Sequence, residues 1–481
     1  MFSELKRLLK HTSIYGLGDI VGRSISFILI PLYTHHLSTA EYGVMALAYV
    51  FIGFVNVLYI MGLNTAFLRF FVAERDKEGR KTLFSTVVIF LGCTSFLGSC
   101  CLWFASPAVA ALLFGNSMYV LYVRLMALIL FIDTLAQFPL LTLRALEKSK
   151  SYAAMTVIRF ALTVGLNLYF VLFLRRGVEG ILLSNLFASL SIFILLVPIS
   201  VRYLKKTVSV SLLKQLLQFG LPLIPAVLCV LVIDLSDRYL LEHFSGLEEV
   251  GLYSLGYRLG MIMTLFVSAF RIAWPPFFLS VAEQNDAKNI YASVFTYFVL
   301  AGAVFFLGVT LYLRIVLHLF VGEVYWEASR IVPVILLSYL FYGMYVNFIV
   351  GVYITKKTKP VPYVTGFAAG VNILFNLLLI PKLGMMGAAL ATLMAYMSMA
   401  LFLYLINTKV FPIPYEMSRL CKISLAAVII FVTNIFLTSS KMGVELVLKS
   451  LLMVGFLCIL FGFRFFQTGE FSAFKKMIRK T

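Results

Sequence analysis

The stretch His11–Gly43 reads HTSIYGLGDIVGRSISFILIPLYTHHLSTAEYG, and the interpretation of the whole chain starts from it. It is long enough to cross a bilayer, because a spanning helix needs about 20 mostly apolar residues. Asp19 and Arg23 nevertheless lie near its middle, four residues apart. A charge at the centre of a membrane costs between about 3 and more than 10 kcal/mol. These two side chains must therefore face each other, water or a ligand.

The composition indicates an integral membrane protein. Of the 481 residues, 62% are hydrophobic and 13% are charged, whereas soluble domains carry about 25% charged residues. The apolar runs are long and continuous, which favours spanning helices over a β-barrel. We predict an all-α membrane protein with about fourteen transmembrane helices, at residues 12–36, 41–67, 83–105, 118–142, 152–174, 178–200, 215–243, 250–276, 290–312, 328–354, 361–380, 385–407, 420–439 and 444–466.

The charge distribution predicts how these helices are oriented. The net charge is +19, but the basic residues form short clusters between spans rather than one patch, so we expect no nucleic-acid partner. Alternate loops carry most of the Lys and Arg residues, as cytoplasmic loops do. With an even number of spans, both termini should then be cytoplasmic. The six cysteines lie in apolar segments and the five histidines are scattered, so we expect no disulfide framework, metal site or cofactor.

The chain also repeats itself. STAEYGVMALAY at 38–49 resembles GLEEVGLYSLGY at 246–257, and GVEG at 177–180 resembles GMMG at 384–387; two shorter pairs have nearly the same spacing. An offset of slightly more than 200 residues covers six spans, so both copies have the same orientation, as in transporters built from parallel repeats. We predict two pseudo-symmetric six-helix lobes and an appended helix pair, at residues 1–205, 206–409 and 410–481.

Two such lobes are typical of an alternating-access transporter, whose substrate site lies where the repeats meet. A channel would more often show repeated pore motifs. An embedded enzyme, such as a glycosyltransferase, would need clustered His, Asp or Glu ligands or a nucleophile motif. The sequence shows neither pattern, so we expect transport and no enzymatic activity. A cation-coupled drug exporter stays open, although acidic residues should then dominate the cavity.

Charged residues inside the predicted spans indicate the substrate. Besides Asp19 and Arg23, the spans contain Arg124, Asp133, Arg159, Asp234, Asp237, Arg238, Arg258 and Arg271. Arginine is permanently charged and binds phosphate through two parallel hydrogen bonds. Six guanidiniums with few carboxylates therefore predict a substrate with a phosphate or pyrophosphate group. Arg314 lies near an outer boundary, where we expect it to extend to water.

Structural roles compete with this interpretation at several positions. The Asp–Arg pair of span 1 has a counterpart in Asp234 and Arg238, and each pair can neutralise itself on its own helix because the residues are four apart. For Arg124 and Arg159, a structural role is the favoured interpretation, since their spans would pack outside a central cavity. Arg271 lies close to the predicted cytoplasmic end of its span.

Two segments resemble a known family. IYGLGDIVGRSISFILIPLYTHHLSTAEYGVMALAYVF at 14–51 resembles the opening span pair of bacterial polysaccharide transporters, and NLLLIPKLGMMGAALATLMAY at 376–396 is similar to their segment leading into span 12. These proteins belong to the multidrug/oligosaccharidyl-lipid/polysaccharide exporter superfamily. The resemblance implies a V-shaped pair of lobes around a cationic cavity. It also implies a flippase in the bacterial cytoplasmic membrane that carries undecaprenyl-diphosphate-linked oligosaccharide to the outer leaflet, for O-antigen, capsule or a related glycan. Lipid II flippases are the nearest alternative.

The predicted site follows from this resemblance together with the buried charges. Arg23, Arg258, Arg238 and Arg271 are the predicted substrate-binding residues. The predicted coupling or charge-pairing residues are Asp19, Asp234, Asp237 and Asp133, which compete for the arginines or bind a coupling proton or sodium ion. The expected partners are the lipid-linked oligosaccharide, bilayer lipids, and glycan polymerase or ligase machinery, with the protein itself a monomer.

Overall fold

The computed structural model describes residues 27–355, 357, 360–437, 439 and 441–466. Throughout these ranges the regular elements are helices, without strands, which confirms the predicted all-α fold. Eleven helices in this part of the chain are long and apolar enough to cross a membrane, and a bent pair, Val210–Leu223 with Val227–Ser245, gives a twelfth span. The protein is a multi-pass membrane protein. The total of fourteen spans stays a prediction, because most of the first predicted span lies outside the described residues. The orientation of the termini also stays a prediction.

The chain divides into two compact units. The first takes the chain up to Leu255 and the segment Asn376–Ala388, and the second takes Gly256–Phe375 and the chain from Ala389 onward. The helices that precede the division are α1 (Ile30–His36), α2 (Thr39–Ile60), α3 (Leu63–Ala73), α4 (Lys77–Phe104), α5 (Ser106–Phe114), α6 (Val120–Ala145), α7 (Ser149–Asn167), α8 (Gly177–Tyr203), α9 (Val210–Gly220) and α10 (Ile224–Ser245). The later helices are α11 (Leu247–Gly260), α12 (Met263–Ser280), α13 (Ala287–Phe320), α14 (Val332–Ile354), α15 (Pro360–Val410), α16 (Met417–Phe436) and α17 (Met442–Gly462).

Helices α9 and α10 belong to the first unit. They pack against α3 and α2, although the sequence repeat assigns them to the second copy. The predicted lobe boundaries at residues 205 and 409 are based on the sequence repeat and not on how the helices pack. They stay a prediction.

Local sequence signals explain where several helices begin and bend. At the start of α2, the Ser38 hydroxyl accepts a hydrogen bond from the Glu41 backbone N–H, and the Glu41 carboxylate accepts one from the Ser38 N–H at 2.8 Å. This reciprocal cap satisfies two N–H groups that the helix leaves unpaired. The 51 residues of α15 bend at Gly384, whose φ of +52° and ψ of −131° are not helical. The helix therefore contains two predicted spans, 361–380 and 385–407.

The repeat is visible in contacts within the first unit. A Cβ atom on Gly43 would lie 2.1 Å from the Leu247 carbonyl oxygen, and one on Gly251 would lie 1.9 Å from the Thr39 carbonyl oxygen. Leu247 and Gly251 each follow their counterparts by the same 208 residues. The first turns of α2 and α11 thus approach each other so closely that only glycine fits at the crossing. Small residues allow this kind of helix contact in membranes.

A second pair of equivalent contacts has nearly the same offset. Gly177, at the start of α8, has a φ of +52° and would place a Cβ atom 2.9 Å from Glu41 Oε1. Gly384 has the same φ and lies in the same way against the carboxylate of Glu249, which accepts a hydrogen bond from the Met385 N–H at 3.1 Å. Each copy therefore places a glutamate from the first turn of one helix against a left-handed glycine.

Aromatic residues form much of the core of each unit. In the first unit, Phe67 packs against Phe71 and Phe138 with ring centroids 5.1 and 5.4 Å apart. In the second, Trp274 packs against Phe278 and Tyr291. These rings join α3 to α6 and α12 to α13.

Candidate functional site

Two of the predicted site residues, Asp19 and Arg23, lie outside the described residues. Their roles stay predictions. The other predicted residues fall in different units, with Asp133, Asp234, Asp237 and Arg238 in the first and Arg258 and Arg271 in the second.

A deeply buried ion pair lies on α10. Asp237 has no exposed surface and Arg238 is 6% exposed. Arg238 Nη1 lies 3.0 Å from Asp237 Oδ1 and also donates a hydrogen bond to the backbone carbonyl of Asp234 at 2.6 Å. Asp237 also accepts a hydrogen bond from the Arg238 backbone N–H at 2.9 Å. The Arg238 guanidinium therefore pairs with the carboxylate of Asp237, the preceding residue. The spacing rule for helices, which pairs residues four apart, does not anticipate this contact.

Tyr253, from α11, completes this cluster. Its hydroxyl donates a hydrogen bond to Asp237 Oδ2, and its ring lies 5.4 Å from the Arg238 guanidinium carbon. A buried charge is tolerated when it is paired and hydrogen-bonded. The arrangement stabilises the contact of α10 with α11. A substrate phosphate would have to compete with Asp237 for Arg238, so phosphate binding by Arg238 stays a prediction.

The second unit holds two of the predicted phosphate ligands. Arg258 lies half-buried on α11. Arg271 is exposed on α12 and donates a hydrogen bond from Nη1 to the Tyr342 hydroxyl at 3.3 Å. Tyr342 belongs to an aromatic group on α14 and α15 that includes Tyr345 and Tyr396. Arg271 is thus positioned by a tyrosine rather than by a carboxylate.

Asp133 pairs with Arg159 across helices α6 and α7. Arg159 Nη2 donates hydrogen bonds to Asp133 Oδ1 at 2.9 Å and Oδ2 at 3.2 Å, and to the Ser189 hydroxyl at 3.2 Å. The pair borders a cavity of about 280 Å³ in the first unit. The predicted charge-pairing role of Asp133 therefore has a specific partner, which lies 26 residues further along the chain.

Arg124 makes contacts of the structural kind that the sequence favoured. Its Nε donates a hydrogen bond to the Ser106 hydroxyl at 3.3 Å, and its guanidinium lies 5.1 Å from the centroid of the Trp103 ring. These contacts join α6 to α5 and to the end of α4. A cation over an indole ring contributes about 0.5 to 2 kcal/mol, depending on how far it is desolvated.

Sequence reasoning missed a charged cluster between α17 and α13. Glu445 and Lys449 are both buried on α17, and Glu445 Oε1 lies 3.9 Å from Lys449 Nζ and 3.8 Å from Arg314 Nη1. Lys449 also donates a hydrogen bond to the Leu437 carbonyl at 2.6 Å. Arg314, expected to extend to water, thus contributes to the attachment of α17 to α13. The Glu445–Lys449 spacing of four residues was the available signal.

An apolar groove runs along the second unit. Its volume is about 380 Å³, and α13, α14, the second half of α15 and α16 line it, with side chains such as Phe295, Phe348, Leu401 and Leu420. Tyr415 lies between α15 and α16, and its hydroxyl is buried and has no hydrogen-bond partner among the described residues. Burial raises the pKa of the Tyr415 phenol above its ordinary value, so the ring stays neutral.

Solved structures of membrane transporters share this fold. The chain is similar to the lipid II flippase MurJ in an inward closed conformation, with a TM-score of 0.72 and 15% sequence identity, over 94% of this chain and 99% of that one. It is also similar to a multidrug resistance MATE family transporter of the MOP superfamily in an inward-facing conformation, with a TM-score of 0.59 and 16% identity, over 80% and 94% of the two chains. The fold is that of a flippase or transporter of this superfamily.

Sequence comparison places the chain in a family. The family model described as "Polysaccharide biosynthesis protein" matches residues 8–282, more than half of the chain, and the MatE model matches residues 222–378. A curated protein of the Lsg locus of Haemophilus influenzae is 23% identical over 295 residues, which cover 58% of this chain and 68% of that one. The chain belongs to the polysaccharide biosynthesis protein family, within the multidrug/oligosaccharidyl-lipid/polysaccharide exporter superfamily, as the opening segment predicted.

Proposed function

We propose that the protein flips an undecaprenyl-diphosphate-linked oligosaccharide from the inner to the outer leaflet of the bacterial cytoplasmic membrane. The glycan is an O-antigen, capsule or related unit. The family match over residues 8–282 carries this proposal. The similarity in fold to a lipid II flippase over 94% of the chain supports it, because lipid II is also a lipid-linked glycan precursor. No catalytic step is part of the proposal.

The diphosphate is the part of the substrate that the arginines recognise. Arg23, with Arg238 and Arg258, holds the phosphates in the inward-open state, and Arg271 assists. An arginine in a low-dielectric cavity binds phosphate strongly because its guanidinium cannot lose its proton. Asp19, Asp234 and Asp237 compete for these arginines and reset the site when the substrate leaves, or they bind a coupling proton or sodium ion. Asp237 already holds Arg238 in this way.

Loss of the arginines should abolish export. We expect Arg23→Ala and Arg258→Ala each to reduce glycan export at least tenfold in a complementation assay, since a charge-assisted hydrogen bond contributes about 1.5 to 3 kcal/mol. Arg23→Lys should recover only part of the activity, because lysine does not bind phosphate with two parallel hydrogen bonds. The matched control is Arg330→Ala, which removes an exposed arginine paired with Glu327 at 2.8 Å.

Normal export by both alanine variants, at normal protein levels, would overturn the cationic site. Full activity of Arg23→Lys would show that charge suffices and that bidentate geometry is not needed. Loss of export by Arg330→Ala as well would show that the assay responds to protein quantity rather than to the site.

The apolar groove of the second unit suits the polyprenyl tail. We expect Ser424→Trp to lower export about tenfold, because the indole would occupy the groove that Ser424 lines. Displacing only two methylenes of the tail, at about 0.8 kcal/mol each, is sufficient for that loss. The control is Leu425→Trp, since Leu425 is exposed on the same helix and does not line the groove. Equal export by the two tryptophan variants would exclude the groove as a tail site.

A lipid II flippase is the second candidate function, favoured by the similarity in fold to MurJ. The two candidates share the diphosphate and the polyprenyl tail and differ in the sugars. Rescue of a strain depleted of its lipid II flippase would support the second candidate. Rescue of a strain that lacks its oligosaccharide flippase, without rescue of the first strain, would support the glycan assignment.

A further inference from the structure

The cavity beside Asp133 and Arg159 has an unusual set of polar groups for the interior of a membrane helix bundle. Its walls come from α2, α6, α7 and α8, all in the first unit. Besides the ion pair, the polar lining consists of Asn56 and Gln137, and the remaining walls are aliphatic, with Leu130, Leu140 and Ile192 among them. Polar side chains inside spans are costly and usually mark a functional site.

Several of these polar groups have no partner among the described residues. All three hydrogen bonds of the Arg159 guanidinium to described residues come from Nη2, which leaves Nε and Nη1 available in this part of the chain. The side-chain amides of Asn56 and Gln137 likewise form no hydrogen bond within the described ranges. The Arg159 and Asp133 side chains, which both line the cavity, are 40% and 28% exposed. The cavity therefore presents both donors and acceptors that a ligand can use.

The charges of the cavity favour a neutral ligand over an ionic one. Arg159 neutralises Asp133 at 2.9 Å and would repel a sodium ion or a proton carrier at the carboxylate. Asp133 would in turn repel a phosphate approaching the guanidinium. A neutral molecule with several hydroxyl groups suits the site, because a hydroxyl donates to a carboxylate and accepts from a guanidinium or an amide. Its C–H groups would contact Leu130, Leu140 and Ile192.

The size of the cavity limits the ligand to one ring. About 280 Å³ lies just below the range of small-molecule sites, which is about 300 to 1,000 Å³. We propose that this cavity binds a single neutral sugar ring of the transported glycan and distinguishes one glycan from another. This inference rests on the proposed function and adds a sugar subsite within the first unit, separate from the predicted arginine ligands of the diphosphate.

Direct sugar binding tests the subsite without transport. The full-length protein in lipid nanodiscs would be examined by saturation-transfer NMR with methyl glucoside, methyl galactoside, methyl mannoside, rhamnose and N-acetylglucosamine as probes. We expect at least one probe to bind, and Asn56→Leu and Gln137→Leu each to weaken its binding about fivefold, the effect of one hydrogen bond. Asn434→Leu is the matched control, because Asn434 is an amide on α16 that does not line the cavity.

Each outcome has a defined meaning. Absence of binding by all probes, or binding that the two cavity variants leave unchanged, would overturn the subsite. A sodium signal in ²³Na NMR that Asp133→Asn removes would also overturn it and assign a cation site. The proposed function and the subsite can be tested independently of each other. If the protein does not restore glycan export but binds sugar in an Asn56-dependent manner, the flippase assignment is wrong and the subsite is supported. If export depends on Arg258 while the cavity substitutions leave sugar binding unchanged, only the subsite is wrong.

Discussion

Valine in place of Gly251 is expected to prevent the protein from accumulating in the membrane. Its Cβ atom would lie 1.9 Å from the Thr39 carbonyl oxygen, and Gly43 faces the equivalent obstacle on the other helix. Because the opposing atoms belong to backbone, no side-chain rotation relieves the clash. Overpacking by flexible side chains costs about 1 to 3 kcal/mol, and we expect a clash with backbone to exceed this range.

The test is the quantity of monodisperse protein after detergent extraction, followed as a fluorescent fusion on size exclusion. Gly165→Val is the matched control, since Gly165 lies on α7 and a Cβ atom added to it would meet no neighbouring side chain or helix within 4 Å among the described residues. We expect Gly165→Val to give the same quantity of monodisperse protein as the parent. The quantity of Gly251→Ala should lie between those of Gly251→Val and the parent. Parent-like yield and unfolding temperature of Gly251→Val would show that α2 and α11 do not cross at these glycines.

Removal of the Asp237 carboxylate should have the second largest effect. Asp237→Ala removes the carboxylate that pairs with the Arg238 guanidinium, and Arg238 is only 6% exposed. Breaking a buried pair on one side costs about 3 to 5 kcal/mol, whereas replacing both partners by apolar residues is often neutral. We therefore expect a strongly lowered unfolding temperature for Asp237→Ala, and recovery in the double variant Asp237→Leu with Arg238→Met.

Thermal unfolding in detergent, with export measured in parallel, separates stability from transport. Glu327→Ala is the control, because it breaks an exposed pair with Arg330 that should contribute less than about 1 kcal/mol. A double variant that is stable but does not export would assign Arg238 a role in transport. A stable and active double variant would make Arg238 structural. An unfolding temperature of Asp237→Ala equal to that of the parent would contradict the buried pair itself.

The length and continuity of the apolar runs made the helices predictable from the sequence. Backbone groups in lipid must be satisfied within a helix, so a run such as 178–200 has few alternatives to the observed α8. The repeat was also readable, because the helix crossing at Gly43 and Gly251 tolerates no side chain and so keeps its local pattern. Breaks within a span were harder to predict from the sequence. The predicted span 250–276, for example, is interrupted between α11 and α12.

Partners from distant parts of the chain could not be predicted. The separation of 26 positions between Asp133 and Arg159 follows no helical period that would indicate their pairing. Arg314 and Glu445 are farther apart still, and nothing in the sequence distinguishes an arginine that contacts a buried glutamate from one that only extends to water. The apolar groove depends on how four helices pack, although each of them looked like an ordinary spanning segment.

The crossing of α2 and α11 has the form of a symmetric interface within one chain. Gly43 faces Leu247, and Gly251 faces Thr39, so the same two repeat positions meet twice, with the two copies exchanged. Such reciprocal contacts are the property of a two-fold symmetric homodimer. A half-length protein built on either copy is therefore expected to pair with itself through this glycine.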